Sequence, residues 1–129
     1  MRDIQDLKYK KAHGINSVIR ALYENNITAA KDLMCCIAMH TPGGLNYMFD
    51  IFKILIHKEW MSSLRHFLDV IAFCKPKHLD SVLDKGILYA RTNSRNKSLA
   101  FLEREKKRRC KVSFIQRMRK KILPYIKAI

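Results

Sequence analysis

Stripes of apolar side chains at helical spacing, separated by breaks of only a few residues, constrain this chain more than any other feature. Ile15, Val18, Ile19, Leu22 and Tyr23 recur at 3-1-3-1 intervals, the spacing of one face of a helix. Asn25-Asn26 ends that run, and a second begins at once with Ile27, Ala30, Leu33, Met34, Ile37 and Ala38. It stops before Thr41-Pro42-Gly43-Gly44, the strongest breaker in the chain. Leu45, Met48, Phe49, Phe52, Leu55 and Ile56 form a third stripe. Met61, Leu64, Phe67, Leu68 and Ile71 form a fourth, with Ser62 or Ser63 as N-cap candidates. Lys75-Pro76 ends it, and Pro76 suits the first turn of the next helix. The fifth stripe is Leu79, Val82, Leu83, Ile87 and Leu88, weakened by Gly86 at about 1 kcal/mol relative to Ala. Residues 3–12 add a short polar helix candidate with Ile4 and Leu7 on one side.

Helices joined by so few residues pack antiparallel. The expected fold is all-α: helical hairpins over 15–40, 45–75 and from 77 onward, stacked as a short solenoid or an irregular bundle. The hairpin starts recur at 30 and then 34 or fewer residues, the period range of helix-pair repeats. With four Gly and three Pro in 129 residues, the chain lacks the turn residues that an antiparallel sheet consumes. Phe and Met (Met34, Met39, Met48, Phe49, Phe52, Met61, Phe67, Phe73) sit at helical spacing and read as core. Trp60 falls at a turn, where it caps the core or anchors a partner.

Charge divides the chain. Residues 1–90 hold 12 Lys/Arg and 9 Asp/Glu, whereas 91–129 hold 14 and 2, so most of the net +15 lies in the last forty residues. The sequence thus predicts a nearly neutral helical body over 1–90, a polar linker over 91–97 and a basic amphipathic segment over 98–129. Within that segment Ile115, Met118, Ile122, Ile126 and Ile129 form a stripe that Pro124 should kink. The candidate contact residues are Lys106, Lys107, Arg108, Arg109, Lys111, Arg117, Arg119, Lys120 and Lys121. Such clusters displace counterions from phosphates and give salt-sensitive, non-specific nucleic-acid affinity. They also suit import signals, anionic membrane surfaces or protein partners. The segment is expected to be an arm with nothing anionic of its own to neutralise it.

Site chemistry is sparse. The sequence holds no glycine-rich phosphate loop, no Gly-x-Ser-x-Gly elbow and no His-Glu-x-x-His, and its five histidines are scattered. The expectation is therefore a non-enzyme without cofactor; His57, Glu59 and His66 could converge only around a turn at 58–62. Cys36/His40 and Cys74/His78, each four apart, carry the ligand types of a structural zinc site, but small buried hydrophobes and helix-end histidines account for them better, so no metal is expected. Cys35-Cys36 points to opposite sides of a helix. Residues 1–13 show no secretory pattern and no stretch is apolar enough to span a bilayer, so an intracellular, reducing setting with free thiols, in cytoplasm or nucleus, is expected.

The segment Val18-Ile-Arg-Ala-Leu-Tyr-Glu-Asn-Asn-Ile-Thr-Ala-Ala-Lys-Asp-Leu-Met34 resembles the repeat unit of the multigene family proteins of the asfarvirus African swine fever virus. In those ankyrin-like proteins a helix ending in a charged-Asn pair runs straight into one of the type Ile-x-x-Ala-x-x-Leu. Leu83 to Leu102, with Gly-Ile-Leu-Tyr-Ala-Arg and Asn-Lys-Ser-Leu-Ala-Phe-Leu, is similar in style, so the likeness covers roughly half the chain. The chain is short for that family and lacks its cysteine-rich N-terminal part. The resemblance implies a virus–host role in macrophage tropism and interferon damping through protein contacts, with no catalytic residue carried over. A host or viral protein is the expected partner; a small nucleic-acid-binding protein using Lys106 to Lys121 is the second reading.

Overall fold

The computed structural model of the protein describes residues 14–109. The helix expected over 3–12, Cys110 and the stripe from Ile115 to Ile129 lie outside the described residues. Six α-helices and no strand occur among those described. They are α1 (14–23), α2 (Ile27–His40), α3 (Gly44–Lys58), α4 (Met61–Cys74), α5 (Leu79–Thr92) and α6 (96–109), with a 3₁₀ turn at Pro76–His78 leading into α5.

One turn geometry closes every helix pair. Asn25, Glu59 and Ser94 adopt left-handed backbone angles (φ 58, 56 and 56°), and they stand 34 and 35 residues apart. At each, the left-handed residue's N–H donates three residues back and the next N–H five back: Asn25 to Leu22 and Asn26 to Ala21, Glu59 to Ile56 and Trp60 to Leu55, Ser94 to Arg91 and Arg95 to Ala90. This is the Schellman pattern, which satisfies the last carbonyls of a helix and reverses the chain. Three hairpins result: α1–α2, α3–α4 and α5–α6. At the first, Asn25 takes the left-handed angle while the Asn26 side chain accepts from Ala29 N–H (3.4 Å) as the N-cap of α2.

The hairpins stack through a shared core. α2 packs on α3 and α4, and α3 also packs on α5. Phe52 of α3 and Phe67 of α4 stack at its centre, ring centroids 4.5 Å apart and 12° from parallel, both fully buried. Met34, Ile51, Leu55, Leu64, Leu68, Ile71 and Leu83 surround them. Two glycines set the closest approaches. A Cβ at Gly44 would lie 2.3 Å from the Ile37 carbonyl oxygen, and one at Gly86 would lie 2.4 Å from Phe52 Cε2. Gly86, a weakness by helix propensity, is thus the slot through which α5 reaches the Phe52 ring.

Several side chains differ from expectation. Trp60, not Ser62 or Ser63, is the N-cap residue of α4, without a side-chain capping bond; Ser63 is buried in the first turn. Phe73 (82% exposed), Leu88 (61%) and Met39 (55%) face out, because each falls on the side of its helix opposite the buried positions. Trp60 is half-buried, 6.1 Å from the exposed Tyr23 ring.

Residues 91–97 comprise the end of α5, the third Schellman turn and the first residues of α6. α6 then lies on the body. Phe101, Leu102 and Ser98 are buried, and Ser98 Oγ donates to the Ile56 carbonyl (2.7 Å). The Glu59 carboxylate accepts from the N–H groups of Lys97 (3.0 Å) and Ser98 (3.4 Å), so the turn residue of one hairpin caps the last helix of the next. Gly86→Ala is expected to lower stability by about 1–3 kcal/mol through overpacking against Phe52, whereas helix propensity alone gives a gain of about 1 kcal/mol. Urea unfolding followed by circular dichroism reads the sign directly.

Candidate functional site

The basic run on α6 is largely engaged in docking. Glu105 is buried at 4% exposure, and three guanidinium groups converge on it: Arg108 (2.8 Å), Arg109 (3.3 Å) and Arg65 of α4 (3.6 Å). Arg109, itself mostly buried, also reaches Asp69 of α4 (2.9 Å), and Lys106 pairs with Asp84 of α5. Arg65 lies over the Phe101 ring, 5.7 Å from its centroid. The expectation of an arm without anionic partners therefore fails over 98–109, since Asp69 and Asp84 of the body and Glu105 of the segment itself supply the counter-charge. Among the described residues Lys107 and Arg104 are exposed and form no ion pair. Lys111, Arg117, Arg119, Lys120 and Lys121 lie outside the described residues.

A different surface has the shape of a binding site. α3 and α5, the first helices of adjacent hairpins, flank a groove of about 750 Å³, within the range of ligand and peptide clefts. Phe49, Val82, Leu88 and Tyr89 supply apolar surface, and Lys53, Lys85 and Asp50 also line it. Lys53 Nζ stands 5.0 Å from the Phe49 ring centroid and 5.8 Å from that of Tyr89, and Lys85 Nζ is 5.9 Å from Phe49. Both ammonium groups rest on aromatic rings and form no ion pair among the described residues. The sequence hides this groove, because Phe49, Val82 and Leu88 sit on the same stripes as true core residues.

The histidine and cysteine candidates are held by structure. Arg95 donates to His57 Nε2 (2.9 Å), Glu59 caps α6, and His66 sits in a partly buried niche beside Met61, Arg65 and Phe101. Among the described residues no three metal-binding side chains form a group. Cys36 and His40 are exposed, and the thiol beside Cys74 is that of Cys35 (Sγ–Sγ 3.3 Å). No helix among the described residues is long and apolar enough to cross a membrane.

Burial, reinforced by the Lys31 charge on α2 and by Arg65, holds His66 below its ordinary pKa of 6.5 despite the opposing pull of Asp69; its buried Nδ1 has no hydrogen-bond partner among the described residues. With the folded value depressed, the unfolded chain binds the proton first as pH falls. Stability from this group is complete above about 6.5 and declines below it. His66→Gln should flatten the loss of urea stability between pH 7.5 and pH 5. Glu105→Gln should cost roughly 2 kcal/mol, less than the figure for a wholly buried pair because Arg65 and Arg108 are exposed, and the same unfolding measurement checks it. The chain matches no protein-family model, no curated protein and no solved structure.

Proposed function

We propose that this protein is a non-enzymatic helix-pair repeat module that binds other proteins, taking a partner's acidic and apolar segment in the α3–α5 groove. The observation that carries the reading is the pairing of exposed apolar surface with lysines that form no ion pair among the described residues. Exposed Leu88 and the faces of Phe49 and Tyr89 offer the buried area that anchors a partner. Lys53 and Lys85, each over an aromatic ring, favour carboxylates on that partner. Stacked helix pairs present such grooves between their equivalent helices. The resemblance to asfarvirus multigene proteins supplies the setting: a host protein of the interferon response or of macrophage tropism, met inside the cell.

The second reading, nucleic-acid binding, retains less support over the described residues, because Lys106 and Arg109 are engaged with body carboxylates. One experiment separates the two. A displayed peptide library panned against the full chain should yield sequences rich in acidic and large apolar residues. The double substitution Lys53→Glu, Lys85→Glu should weaken the selected peptides about tenfold or more without altering helicity. Equal binding by that variant sinks the groove. Affinity for random DNA or RNA that falls steeply with salt and is lost on Arg104→Ala, Lys107→Ala would instead establish the nucleic-acid reading.

A further inference from the structure

Cys35 and Cys74 are 39 residues apart in sequence, on α2 and α4, yet their sulfur atoms lie 3.3 Å from each other. A disulfide requires about 2.05 Å between sulfurs, so closure asks the two sulfur atoms to approach by only a little over 1 Å from where they already stand. Both thiols are reduced and only part-buried, which leaves them within reach of a small oxidant. Cys36, next in sequence, is exposed and has no such neighbour among the described residues, so the pairing comes from the packing of α2 on α4.

We infer that Cys35 and Cys74 form a dithiol site that a peroxide converts to an intramolecular disulfide, stapling the second helix of the first hairpin to the second helix of the next. The chemistry balances with one hydrogen peroxide. The Cys74 thiol gives up its proton, its sulfur attacks a peroxide oxygen, the O–O bond breaks, and the departing hydroxide takes that proton to leave as water, with a sulfenic acid on Cys74. The Cys35 sulfur then attacks the Cys74 sulfur, the S–O bond breaks, and the departing hydroxide takes the Cys35 proton to leave as a second water. Two thiols are oxidised and the peroxide is reduced to two waters. Burial and contact with the Cys74 thiol push the Cys35 pKa up to about 11. Cys35 thus keeps its proton the longer of the two and acts as the resolving thiol once the sulfenic acid stands beside it.

The site differs from the groove proposed above, which lies on α3 and α5, and stands whether or not that groove binds a protein. The test treats the full chain with stoichiometric hydrogen peroxide, followed by non-reducing peptide mapping and thermal melting. The expected product is a Cys35–Cys74 cross-linked peptide pair lighter by two hydrogen atoms. A midpoint raised by roughly 10 °C should accompany it, as for closure of a loop of this size, and reductant should reverse both. A Cys36→Ser, Cys110→Ser variant should behave identically, which keeps the readout independent of the other thiols. Cross-links that instead involve Cys36 or Cys110, link two chains, or leave the midpoint unchanged would overturn the inference. Sulfinic acid at separate cysteines would overturn it equally.

Discussion

The left-handed turn repeated at Asn25, Glu59 and Ser94 is the constraint on which the architecture depends. Each places a residue with a side chain in a conformation that costs about 1–2 kcal/mol for any residue but glycine. Each satisfies two helix-end carbonyls that would otherwise be left open within a tight reversal. Because the same bonds recur at 34 and 35 residues, consecutive hairpins leave their turns in the same way, and equivalent helices come to lie side by side. The α3–α5 groove is a consequence of that repetition. Glu59 does more than turn the chain: its carboxylate holds the first N–H groups of α6, so the turn of the second hairpin fixes the start of the last helix.

Close packing supplies the second condition. The stacked rings of Phe52 and Phe67 fill the space between α3 and α4, and Phe52 projects far enough that only a residue without a Cβ fits opposite it on α5. A glycine inside a helix weakens that helix on its own, yet here it lets two hairpins approach. The balance favours packing, since the clash at 2.4 Å involves a ring that is fully buried and stacked on Phe67.

Much of the fold is legible in the sequence because its signals are local. Apolar periodicity marks α1 to α5, Thr41-Pro42-Gly43-Gly44 marks the break between hairpins, and Asn25-Asn26 contains both the turn residue and the cap that follows it. Glu59 and Ser94 carry no such mark, because neither residue type favours a left-handed angle; their role is imposed by the hairpins they join. The fifth stripe also groups Leu83, fully buried, with Leu88, exposed in the groove, although five residues turn the helix by about 140° between them, so listing apolar positions does not say which one packs inward. The pairs Arg109–Asp69 and Cys35–Cys74 span 40 and 39 residues and become visible only once the helices are stacked. Spacing within a helix suggests Cys36 with His40 instead, the side of α2 that faces away from α4.

Charge distribution follows from these contacts more than from composition. Among the described residues six carboxylates have these partners: Glu24 with Arg20, Glu59 with the α6 amides, Asp69 with Arg109, Asp84 with Lys106, Glu103 with Arg91, and Glu105 with three arginines. Most of that acidic charge is concentrated along α6, where it offsets the self-repulsion of the basic run. In the groove lining on the opposite side, Asp50 stands against Lys53 and Lys85. Lys53 and Lys85 rest on aromatic faces. A cation in that position retains most of its capacity to attract an anion, because a ring face offsets desolvation without neutralising charge. The fold thus uses most of these acids to hold the last helix in place, and the α3–α5 groove keeps two lysines against one carboxylate.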